Sequence, residues 1–451
     1  MRSRFQSFHI GIDDTDSAEG MCTTFLTFKL IQALSLAKKK TTLIDYPNLI
    51  RLNPNIPWKT RGNGALVLRI ETELTSGELY SKCKRLVGKF ATSKRANAGL
   101  VIYEGEDIPK EVSQFSRRAM YSVLSVKKAK ALIESSRMMS YALRSEQGLV
   151  GALAGIGNQL KSDFTFELIA YRRNLSFPRR VNKEKVKQMQ LLTYPLTFNS
   201  YDEENDRVLI APHGKDPVLL GIRGETPSAL KKAFEILLPL ENLLGYAIFR
   251  TNQGTGEHLV ETIDLGNAKS YSSGKVTGKI VSKPTMQIGG HAFFKIGNSR
   301  GEMACACYEP TGKLRNIVMA LIPGDEIEVG GGVRKPTVLH SKVLNLEYVK
   351  VLKLVDDSRY DNPKCRCGST MSSEGRDKGF QCRRCGRRIF SNSKVERIVA
   401  RKLEEDQLYL PDLKAHRHLT KPEQRFHLDR RRALPLPLVK NWIRGHTFSK
   451  S

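Results

Sequence analysis

Three aspartates lie within four positions near the start of the chain, in the stretch GIDDTDS at residues 11–17. Carboxylates this close repel one another, so the cluster is costly unless a cation or a magnesium-bound phosphate neutralises it. Asp13, Asp14 and Asp16 therefore predict a magnesium site. A solvated acidic turn, whose Asp and Ser side chains cap the following helix, accounts for the same spacing equally well.

Hydroxyl and basic side chains near this loop extend the prediction. Thr23 and Thr24 stand at the start of the next helix, where free N–H groups and the helix dipole favour phosphate, although both also suit an ordinary first turn. The stretch WKTRGNG adds the cations Lys59 and Arg61 and the planar amide of Asn63, which together suit a phosphate or a base. The chain contains neither GxxxxGK[ST] nor GxGxxG, so an ATP site has to rest on a less familiar pattern.

Four cysteines cluster near the C-terminus in two pairs, and each pair is followed by glycine. The loop between the pairs has the length found in a zinc ribbon, in which four thiolates close a tetrahedral structural site. A first pair separated by one residue is tighter than the usual two. The predicted zinc ligands are Cys365, Cys367, Cys382 and Cys385.

Two other groups of potential ligands receive no site prediction. Cys305 and Cys307 have no second pair nearby, and alternation along a strand places both on one face, so we expect them in a β-barrel core. His291, His416 and His418 are isolated in the sequence, and isolated histidines are usually structural or surface residues. We therefore assign these histidines no catalytic role.

The acidic loop joins a short buried strand to a helix over residues 21–37, since the apolar spacing changes from strand-like to helical. Two βαβ patterns follow, one over residues 65–104 and one over 207–252, and together they predict a ferredoxin-like sheet. Short glycine-punctuated strands over 264–355 predict an OB-fold β-barrel, with another small barrel as the alternative. Residues 393–406 predict a surface helix ahead of a basic tail. The fold class is thus α/β and α+β, in several domains.

The chain has 451 residues with 74 Lys and Arg against 46 Asp and Glu, a formal net charge of +28. This excess favours nucleic acid as a partner, although a generically basic surface gives the same count. Residues 363–451 hold 22 Lys and Arg and 9 Asp and Glu, so about a fifth of the chain carries nearly half of the excess. Charges interrupt every apolar run and the N-terminus has no signal-peptide pattern, so we expect a cytoplasmic protein with no membrane contact.

Seven stretches in this order resemble the archaeal tRNA(Ile) 2-agmatinylcytidine synthetase family. They are HIGIDDTDS with GMCTTFL, KTRGNGA, GALAGIG, FRTNQGTGEHL, GGHAFF, and AHRHLTKP after the cysteine pairs. The resemblance spans nearly the whole chain and implies a kinase-like catalytic domain, a ferredoxin-like domain, an OB-fold barrel and a C-terminal zinc ribbon with a basic helical tail. The expected boundaries are 1–63 with 106–193, 64–105 with 194–263, 264–355, and 356–451.

The family resemblance also implies roles for individual residues. Asp13, Asp14 and Asp16 would hold magnesium and take part in catalysis, and Thr23 matches the family's phosphorylatable threonine. The residues expected to bind ATP and its phosphates are Thr15, Ser17, Thr24, Lys59, Arg61 and Asn63. Those expected near the cytidine or the agmatine are Gly151, Gly155, Gly157, Arg250, Asn252, Gln253 and Thr255.

The implied reaction joins agmatine to carbon 2 of the wobble cytidine of an isoleucine tRNA with a CAU anticodon, so that the tRNA reads AUA. ATP would first phosphorylate the cytidine O2, because a ring carbonyl oxygen is a poor leaving group, and AMP is the expected nucleotide product. The implied cofactors are ATP, Mg²⁺ and a structural Zn²⁺. Gly256 stands where the family commonly has aspartate, which leaves any role of that carboxylate unsupported.

Two other functions are open from the sequence, and the oligomeric state is unknown. A noncatalytic RNA-binding protein would use the barrel, the ribbon and the tail, with the acidic loop as a helix cap, but the converging acids, cations and threonines of the N-terminal half would then have no use. An ATP-dependent kinase or ligase acting on another RNA would keep the ATP chemistry and change the nucleophile. An assay with agmatine and the tRNA distinguishes these alternatives.

Overall fold

We describe the fold from a computed structural model, over residues 5–16, 21–59, 62–91, 93, 96–237, 239, 241–338, 341–390, 394–426 and 437–445. Ser17 and Arg61, two of the predicted phosphate-binding residues, lie outside these ranges. Among the described residues, no helix combines the length and the apolar character needed to cross a membrane.

Most strands of the first 251 residues form one large sheet. In chain order the elements are β1 (Gln6–Asp13), α1 (Thr23–Ser35), β2 (Thr41–Leu43), β3 (Asn48–Arg51), β4 (Gly64–Thr72), α2 (Ser76–Phe90), β5 (Gly99–Glu104), α3 (Lys110–Ala119), α4 (Val126–Ser135), β6 (Met139–Ala142), α5 (Gly148–Gly157), β7 (Thr165–Arg172), α6 (Lys183–Thr193), β8 (Thr197–Phe198), β9 (Tyr201–Asp202), β10 (Arg207–Val208), β11 (Val218–Gly224), α7 (Pro227–Leu237) and β12 (Leu243–Thr251).

The strands of this sheet run in the order β6-β5-β1-β4-β3-β12-β7-β11-β8, and β9 pairs separately with β10. Neighbouring strands of the large sheet are antiparallel except β3 and β12, which pair in parallel. β4 and β5 of the first predicted βαβ unit, and β11 and β12 of the second, share this sheet with β1 and β3, which come from the segment expected to be kinase-like. One continuous sheet therefore joins the two predicted domains, and the boundaries between them stay a prediction.

Alternation along β1 decides which side chains reach the site. Phe8, Ile10 and Ile12 are fully buried in a cluster shared with α1 and α2. The alternate residues face α5 on the other side of the sheet, where a Cβ added to Gly11 would lie 2.2 Å from the carbonyl oxygen of Ala152. Helix α5 thus packs directly on the strand, and the last residue of β1 emerges beside it.

The next part of the chain is a closed five-stranded barrel, as expected for an OB fold. It consists of β13 (Ser273–Gln287), β14 (His291–Asn298), β15 (Gly301–Cys307), α8 (Lys313–Met319), β16 (Glu326–Arg334) and β17 (Val343–Lys353). The order β15-β14-β13-β16-β17 closes through parallel pairing of β15 with β17. Cys305 and Cys307 are buried in its core, as predicted.

The remaining chain contains the cysteine-rich module and then returns to the large sheet. Its strands are β18 (Ser358–Asp361), β19 (Ser372–Ser373), β20 (Phe380–Gln381), β21 (Arg388–Ile389), β22 (Val395–Ile398), β23 (Leu408–Tyr409) and β24 (Ile443–Gly445). Two 3-10 turns, Leu413–Ala415 and Glu423–Arg425, lie between β23 and β24. β24 pairs with β12, about 200 residues earlier in the chain.

The predicted surface helix is wrong over residues 394–406, and the predicted helical character of the tail has no support where the tail is described; residues 427–436 and 446–451 lie outside the described residues. The described residues of 394–426 and 437–445 contain no α-helix, and β22 instead pairs with β18. The spacing of Val395, Ile398 and Val399 is that of an amphipathic helix. Residues 395–398 are all exposed, however, so a helix here would bury no apolar face and gain no stability from packing. The β-branched residues therefore follow the pairing that β18 offers.

Candidate active site

Asp13 ends β1 and its carboxylate lies against helix α5. A Cβ added to Gly151 would lie 1.7 Å from Asp13 Oδ2, so only glycine fits at this point of the helix. Burial raises the pKa of Asp13 to about 8, and the neighbouring charges of Asp14 and Asp16 act in the same direction. Asp14 takes the left-handed conformation, with φ of 54°, which turns the chain out of the strand.

Asp13 and Asp14 line a small cavity of about 60 Å³ together with Lys59, Asn63 and Gly151. The side chain of Asn63 donates to the carbonyl of Asn53 at 2.8 Å, which fixes the turn that carries it. The structure thus brings together five of the predicted site residues, from three separate parts of the sequence. The carboxylates and an amine face one small volume, an arrangement suited to a cation and a phosphate.

Asp16 caps helix α1 from outside the helix. Its Oδ1 accepts from the backbone N–H of Thr23 at 2.8 Å and from the Thr23 hydroxyl at 3.0 Å. Thr15 donates its own hydroxyl to Thr23 Oγ1 at 3.0 Å. Cys22, the residue at the cap position, makes no side-chain cap bond, so Asp16 supplies it. The capping interpretation therefore holds for Asp16, whereas Asp13 and Asp14 line the cavity.

A second cavity of about 340 Å³ opens beside the start of α1. Its wall includes Asp16, Thr23 and Thr24, which the sequence predicted. It also includes charged or imidazole side chains that the sequence did not predict: Arg51, Glu167, Arg207, His213, Asp216, Arg223 and His418. Glu167 lies in β7, all eight residues of which are buried. The sequence did offer one indication of Glu167, because it is the only carboxylate of a strand that is otherwise suited to burial. Burying a charged side chain costs free energy, so such a residue usually has a partner or a role.

A third and larger cavity of about 810 Å³ is basic. Residues of the large sheet, the barrel and the returning C-terminal segment line it, and it shares Lys59, Arg207, Arg223 and His418 with the two smaller cavities. Its other cations are Arg334, Lys414 and Arg417. Burial, followed by the charges of Arg417 and Arg334, lowers the pKa of Lys59. This concentration of positive charge suits a polyanion such as an RNA backbone.

The predicted residues of FRTNQGT do not line the three cavities. Arg250 is buried and bonds Asp45 and the carbonyl of Leu160. Thr255 donates to the carbonyl of Asn252 at 2.7 Å, within its own loop. Direct contact of Arg250 or Thr255 with a substrate in these cavities therefore has no support in the geometry.

Two residues of the same motif act on the cavity wall from behind. Asn252 bonds both the N–H and the carbonyl of Arg51, which lines the 340 Å³ cavity. The Gln253 amide donates to the carboxylate of Glu167 in the same wall. Both Asn252 and Gln253 are fully buried, so they position charged groups of the wall without facing the cavity themselves.

The other glycines of α5 serve packing. A Cβ on Gly155 would lie 3.0 Å from Val67, and one on Gly157 would lie 2.3 Å from the carbonyl oxygen of Val112. Neither glycine lines one of the three cavities. Of the three predicted glycines, only Gly151 therefore meets a site residue.

The carboxylate that follows Gly256 belongs to Glu257. Its side chain accepts from Asn252 at 2.8 Å, and burial raises its pKa. Glu257 therefore holds Asn252, which in turn holds the backbone of Arg51. This chain supplies a buried carboxylate one position after the place where the family commonly has aspartate.

The four predicted zinc ligands converge at one point. Cys365 and Cys385 have their sulfurs 3.5 Å apart, Cys367 and Cys382 have theirs 3.4 Å apart, and all four lie within 4.8 Å of one another. Four thiolates around zinc, with bonds of about 2.3 Å, stand about 3.8 Å apart, and a disulfide requires about 2.05 Å. The donor set therefore fits tetrahedral zinc. The shortened first pair still forms a turn, with Gly368 at φ +82°.

Sequence models of three TiaS domains match this chain: the TiaS TCKD domain over residues 9–145, the TiaS FLD domain over 146–258 and the TiaS C-terminal zinc ribbon domain over 362–403. A tRNA(Ile) 2-agmatinylcytidine synthetase TiaS of Cenarchaeum symbiosum is 41% identical, covering 92% of each chain. Its counterpart in Pyrococcus horikoshii is 39% identical, covering 92% of this chain and 96% of its own.

Solved structures agree with the sequence matches. A complex of TiaS with its isoleucine tRNA and ATP superposes with a TM-score of 0.83 at 34% identity, and a complex with the tRNA, AMPCPP and agmatine superposes with 0.81 at 33%. Each comparison covers 95% of this chain and 99% of the other. The resemblance drawn from the sequence is confirmed, and the chain belongs to the TiaS family of tRNA(Ile) 2-agmatinylcytidine synthetases.

Proposed function

We propose that this protein uses ATP to join agmatine to carbon 2 of the wobble cytidine of the isoleucine tRNA with a CAU anticodon. Membership of the TiaS family supports the proposal, as do the related structures that hold this class of tRNA, ATP or its analogue, and agmatine. The observation that carries it to this chain is that Asp13, Asp14 and Lys59 line one cavity, and that Asp16 and Thr23, which follow in the same loop and helix start, line a second.

Asp13, Asp14 and Asp16 would hold Mg²⁺. The residue type suits the ion, because carboxylate oxygens are its preferred protein ligands. Asp13 and Asp14 line the same cavity, whereas Asp16 caps α1, so Asp16 would have to turn from the cap to reach the ion. The raised pKa of Asp13, which burial and then the charges of Asp14 and Asp16 cause, also fits, since a bound cation would stabilise the charged carboxylate. The ion would neutralise the charge of the triphosphate. Lys59, which lines both the small cavity and the large basic cavity, would bind a phosphate oxygen.

The chemistry would proceed through a phosphorylated cytidine. The cytidine O2 would attack the γ-phosphorus of ATP, so that the new oxygen–phosphorus bond forms as the bond to the β-phosphate breaks and ADP leaves. Hydrolysis of the remaining anhydride bond by water would then give AMP, the expected nucleotide product, and a second phosphate. The agmatine amine then attacks carbon 2 and loses a proton, so that a carbon–nitrogen bond replaces the carbon–oxygen bond and phosphate leaves. Asp16 accepts the hydrogen bond of the Thr23 hydroxyl, which would hold Thr23 at the cavity wall where the phosphoryl group arrives.

The 340 Å³ cavity would hold the agmatine. Agmatine is a dication, so its binding site requires acceptor oxygens even within a protein of net charge +28. The wall of this cavity contains the carboxylates of Asp16, Glu167 and Asp216. The 810 Å³ cavity, lined by cations, would receive the phosphates of the anticodon loop, and the barrel and zinc ribbon would contact a distant part of the tRNA.

The test is incorporation of labelled agmatine into an isoleucine tRNA transcript with a CAU anticodon, in the presence of ATP and Mg²⁺. A transcript that differs only in having a GAU anticodon is the control, since it lacks the target cytidine. We expect label in the first transcript alone. Binding of tRNA without any incorporation would support a noncatalytic RNA-binding protein, and ATP turnover without incorporation would support a different nucleophile or RNA.

Asparagine at positions 13 and 14 tests the role of the acidic loop. Asp13→Asn and Asp14→Asn should each abolish ATP turnover and leave tRNA binding within about threefold, because neither aspartate lines the basic cavity. Asp107→Asn is the matched control, since Asp107 is exposed and lies beyond the end of β5 opposite to Asp13. Equal loss of tRNA binding in the loop variants would show that the acidic loop is structural.

A further inference from the structure

The chain between the zinc ribbon and the last strand packs against the large sheet, which carries the candidate active site. We call residues 411–426 the C-terminal strap. Gly254 and Gly256, in the loop after β12, donate their N–H groups to the carbonyls of His418 and Leu419, both at 2.8 Å. These backbone bonds fix the middle of the strap against the large sheet.

A buried cation fixes the end of the strap. Arg425 is fully buried and donates to Glu225 at 2.6 Å and to Asp163 at 2.8 Å. Taking a guanidinium out of water is costly unless carboxylates pair with it, and both partners belong to the large-sheet half of the protein. The strap is therefore part of the site wall and is not a loose tail.

His418 is the strap residue that lies between two of the cavities. His418 lines both the 340 Å³ and the 810 Å³ cavity, and its Nδ1 lies 2.9 Å from Gln253 Oε1. The amide nitrogen of Gln253 donates to the Glu167 carboxylate, which fixes the amide so that its oxygen faces the imidazole. Two acceptors do not bond each other, so Nδ1 of His418 has to bear the proton. The order of donation is therefore His418 to Gln253 to Glu167.

Arg223 is the second neighbour of the same nitrogen. Its Nη2 lies 3.1 Å from Nδ1 of His418, so it could donate there only if the opposite tautomer were present. That tautomer would leave Gln253 Oε1, which is closer, facing an acceptor inside a buried site. Arg223 keeps the bond from its Nε to Glu167 Oε1 at 3.4 Å, and its Nη2, on a side chain that is 20% exposed, gives up only the contact with Nδ1. Satisfying all four groups together thus favours the proton on Nδ1.

The surroundings keep this imidazole neutral. Burial, together with the charges of Arg51 and Arg223, holds the pKa of His418 well below its usual range. A guanidinium at 3.1 Å strongly opposes a second positive charge on the ring. A neutral imidazole of such low basicity is poorly suited to take a proton from an ammonium group, so hydrogen-bond donation is the role that remains.

Glu167 needs such support because two cations compete for it. Arg223 Nε lies 3.4 Å from one carboxylate oxygen and Arg51 Nη2 lies 3.9 Å from the other. Gln253 holds the second oxygen, and Gly221 lies against the first, its added Cβ being 2.7 Å from Oε1. If a carboxylate positions a substrate, even a small displacement of it lowers the reaction rate strongly.

We propose that His418 is a positioning residue of the reaction: its Nδ1–H orients the Gln253 amide, which holds Glu167 at the wall of the cavity that receives the amine substrate. The inference rests on the proposed function. It makes the C-terminal strap, which follows the zinc ribbon in the sequence, a component of the active site.

The experiment compares His418→Asn, His418→Gln and His418→Ala in the full-length protein, with Glu423→Ala as the control for an exposed strap residue. Asparagine can place a donor where Nδ1 stands, whereas glutamine places its donor near Nε2. We expect His418→Asn to keep kcat/KM for agmatine within about threefold. His418→Gln and His418→Ala should lose about 10- to 100-fold, the range for a hydrogen bond in a charged network. Binding of tRNA and thermal stability should stay near those of the Glu423→Ala control.

A double-mutant cycle with Gln253→Ala provides the decisive readout. If His418 acts through Gln253, the protein with both His418→Ala and Gln253→Ala is no less active than Gln253→Ala alone. Fully additive losses, or a His418→Gln protein more active than His418→Asn, would overturn the positioning role. The comparison of Asn with Gln decides the matter even if His418→Ala fails to fold. A wild-type protein that incorporates no agmatine would instead overturn the proposed function, and this inference with it.

Discussion

Replacing Gly151 by alanine should separate the fold of this protein from its chemistry. The added Cβ would lie 1.7 Å from Oδ2 and 2.5 Å from Cγ of Asp13, and real Cβ atoms essentially never approach a heavy atom within 3.0 Å. The carboxylate has to move by more than about 1 Å, because α5 is packed on β1 and cannot withdraw. A misplacement of that size costs about 100-fold in rate. We therefore expect ATP turnover to fall by about two orders of magnitude.

The same substitution should leave the helix intact. Alanine is a better helix former than glycine by about 1 kcal/mol, which offsets part of the local crowding. Gly88→Ala in α2 is the matched control, since its added Cβ meets nothing within 4 Å. The assay measures ATP turnover, agmatine incorporation and thermal unfolding for both variants. If Gly151→Ala keeps turnover within about threefold of Gly88→Ala, the Asp13 carboxylate does not need the position that the structure gives it.

Three further predictions concern charge and metal. Because the pKa of Asp13 is raised from 3.8 to about 8, folding favours its protonated form, and the charged carboxylate costs stability increasingly as pH rises between these values. Without Mg²⁺, Asp13→Asn should therefore have a higher Tm than wild type at pH 8, and most of that difference should disappear at pH 5. A difference in Tm that does not depend on pH would show that the charge of Asp13 is not its cause. Metal analysis should find about one zinc per chain, and Cys382→Ser should lose it; a variant that retains its metal would argue against the four-cysteine site. Arg425→Met should destabilise the protein by about 3–5 kcal/mol in urea unfolding, because it removes one side of the buried ion pair with Glu225; a loss below about 1 kcal/mol would mean that other groups compensate.

Much of the fold followed from local pattern. The strand of the acidic loop, helix α1 and the barrel strands have apolar periodicities that persist over a whole element, and the structure contains them. Local pattern did not predict which strands pair with each other. β24 has only three residues, and its strand conformation depends on pairing with β12, about 200 residues earlier in the chain. The error at 393–406 has the same origin, because pairing with β18 overrode a helical spacing.

The candidate site was predictable where residues cluster in sequence and unpredictable where the chain assembles them. Asp13, Asp14 and Asp16 stand out because their repulsion needs an explanation, and the cysteine pairs because their spacing suits a metal. Glu167 and His418 have no such neighbours in the sequence. The isolated position of His418 in the chain gave no indication that it lines two cavities, since its partners Gln253 and Arg223 lie 165 and 195 residues away.

The strap also constrains when the site is complete during biosynthesis. His418 is synthesised roughly 400 residues after Thr23, and at 5–20 residues per second the delay is about 20 to 80 seconds. During that time the acidic loop and the first strands are available to fold, but His418 is missing from the wall of the 340 Å³ cavity. A nascent or truncated chain without residue 418 therefore lacks the hydrogen bond between His418 and Gln253. Completion of the 340 Å³ cavity is thus tied to translation of the region that follows the zinc ribbon.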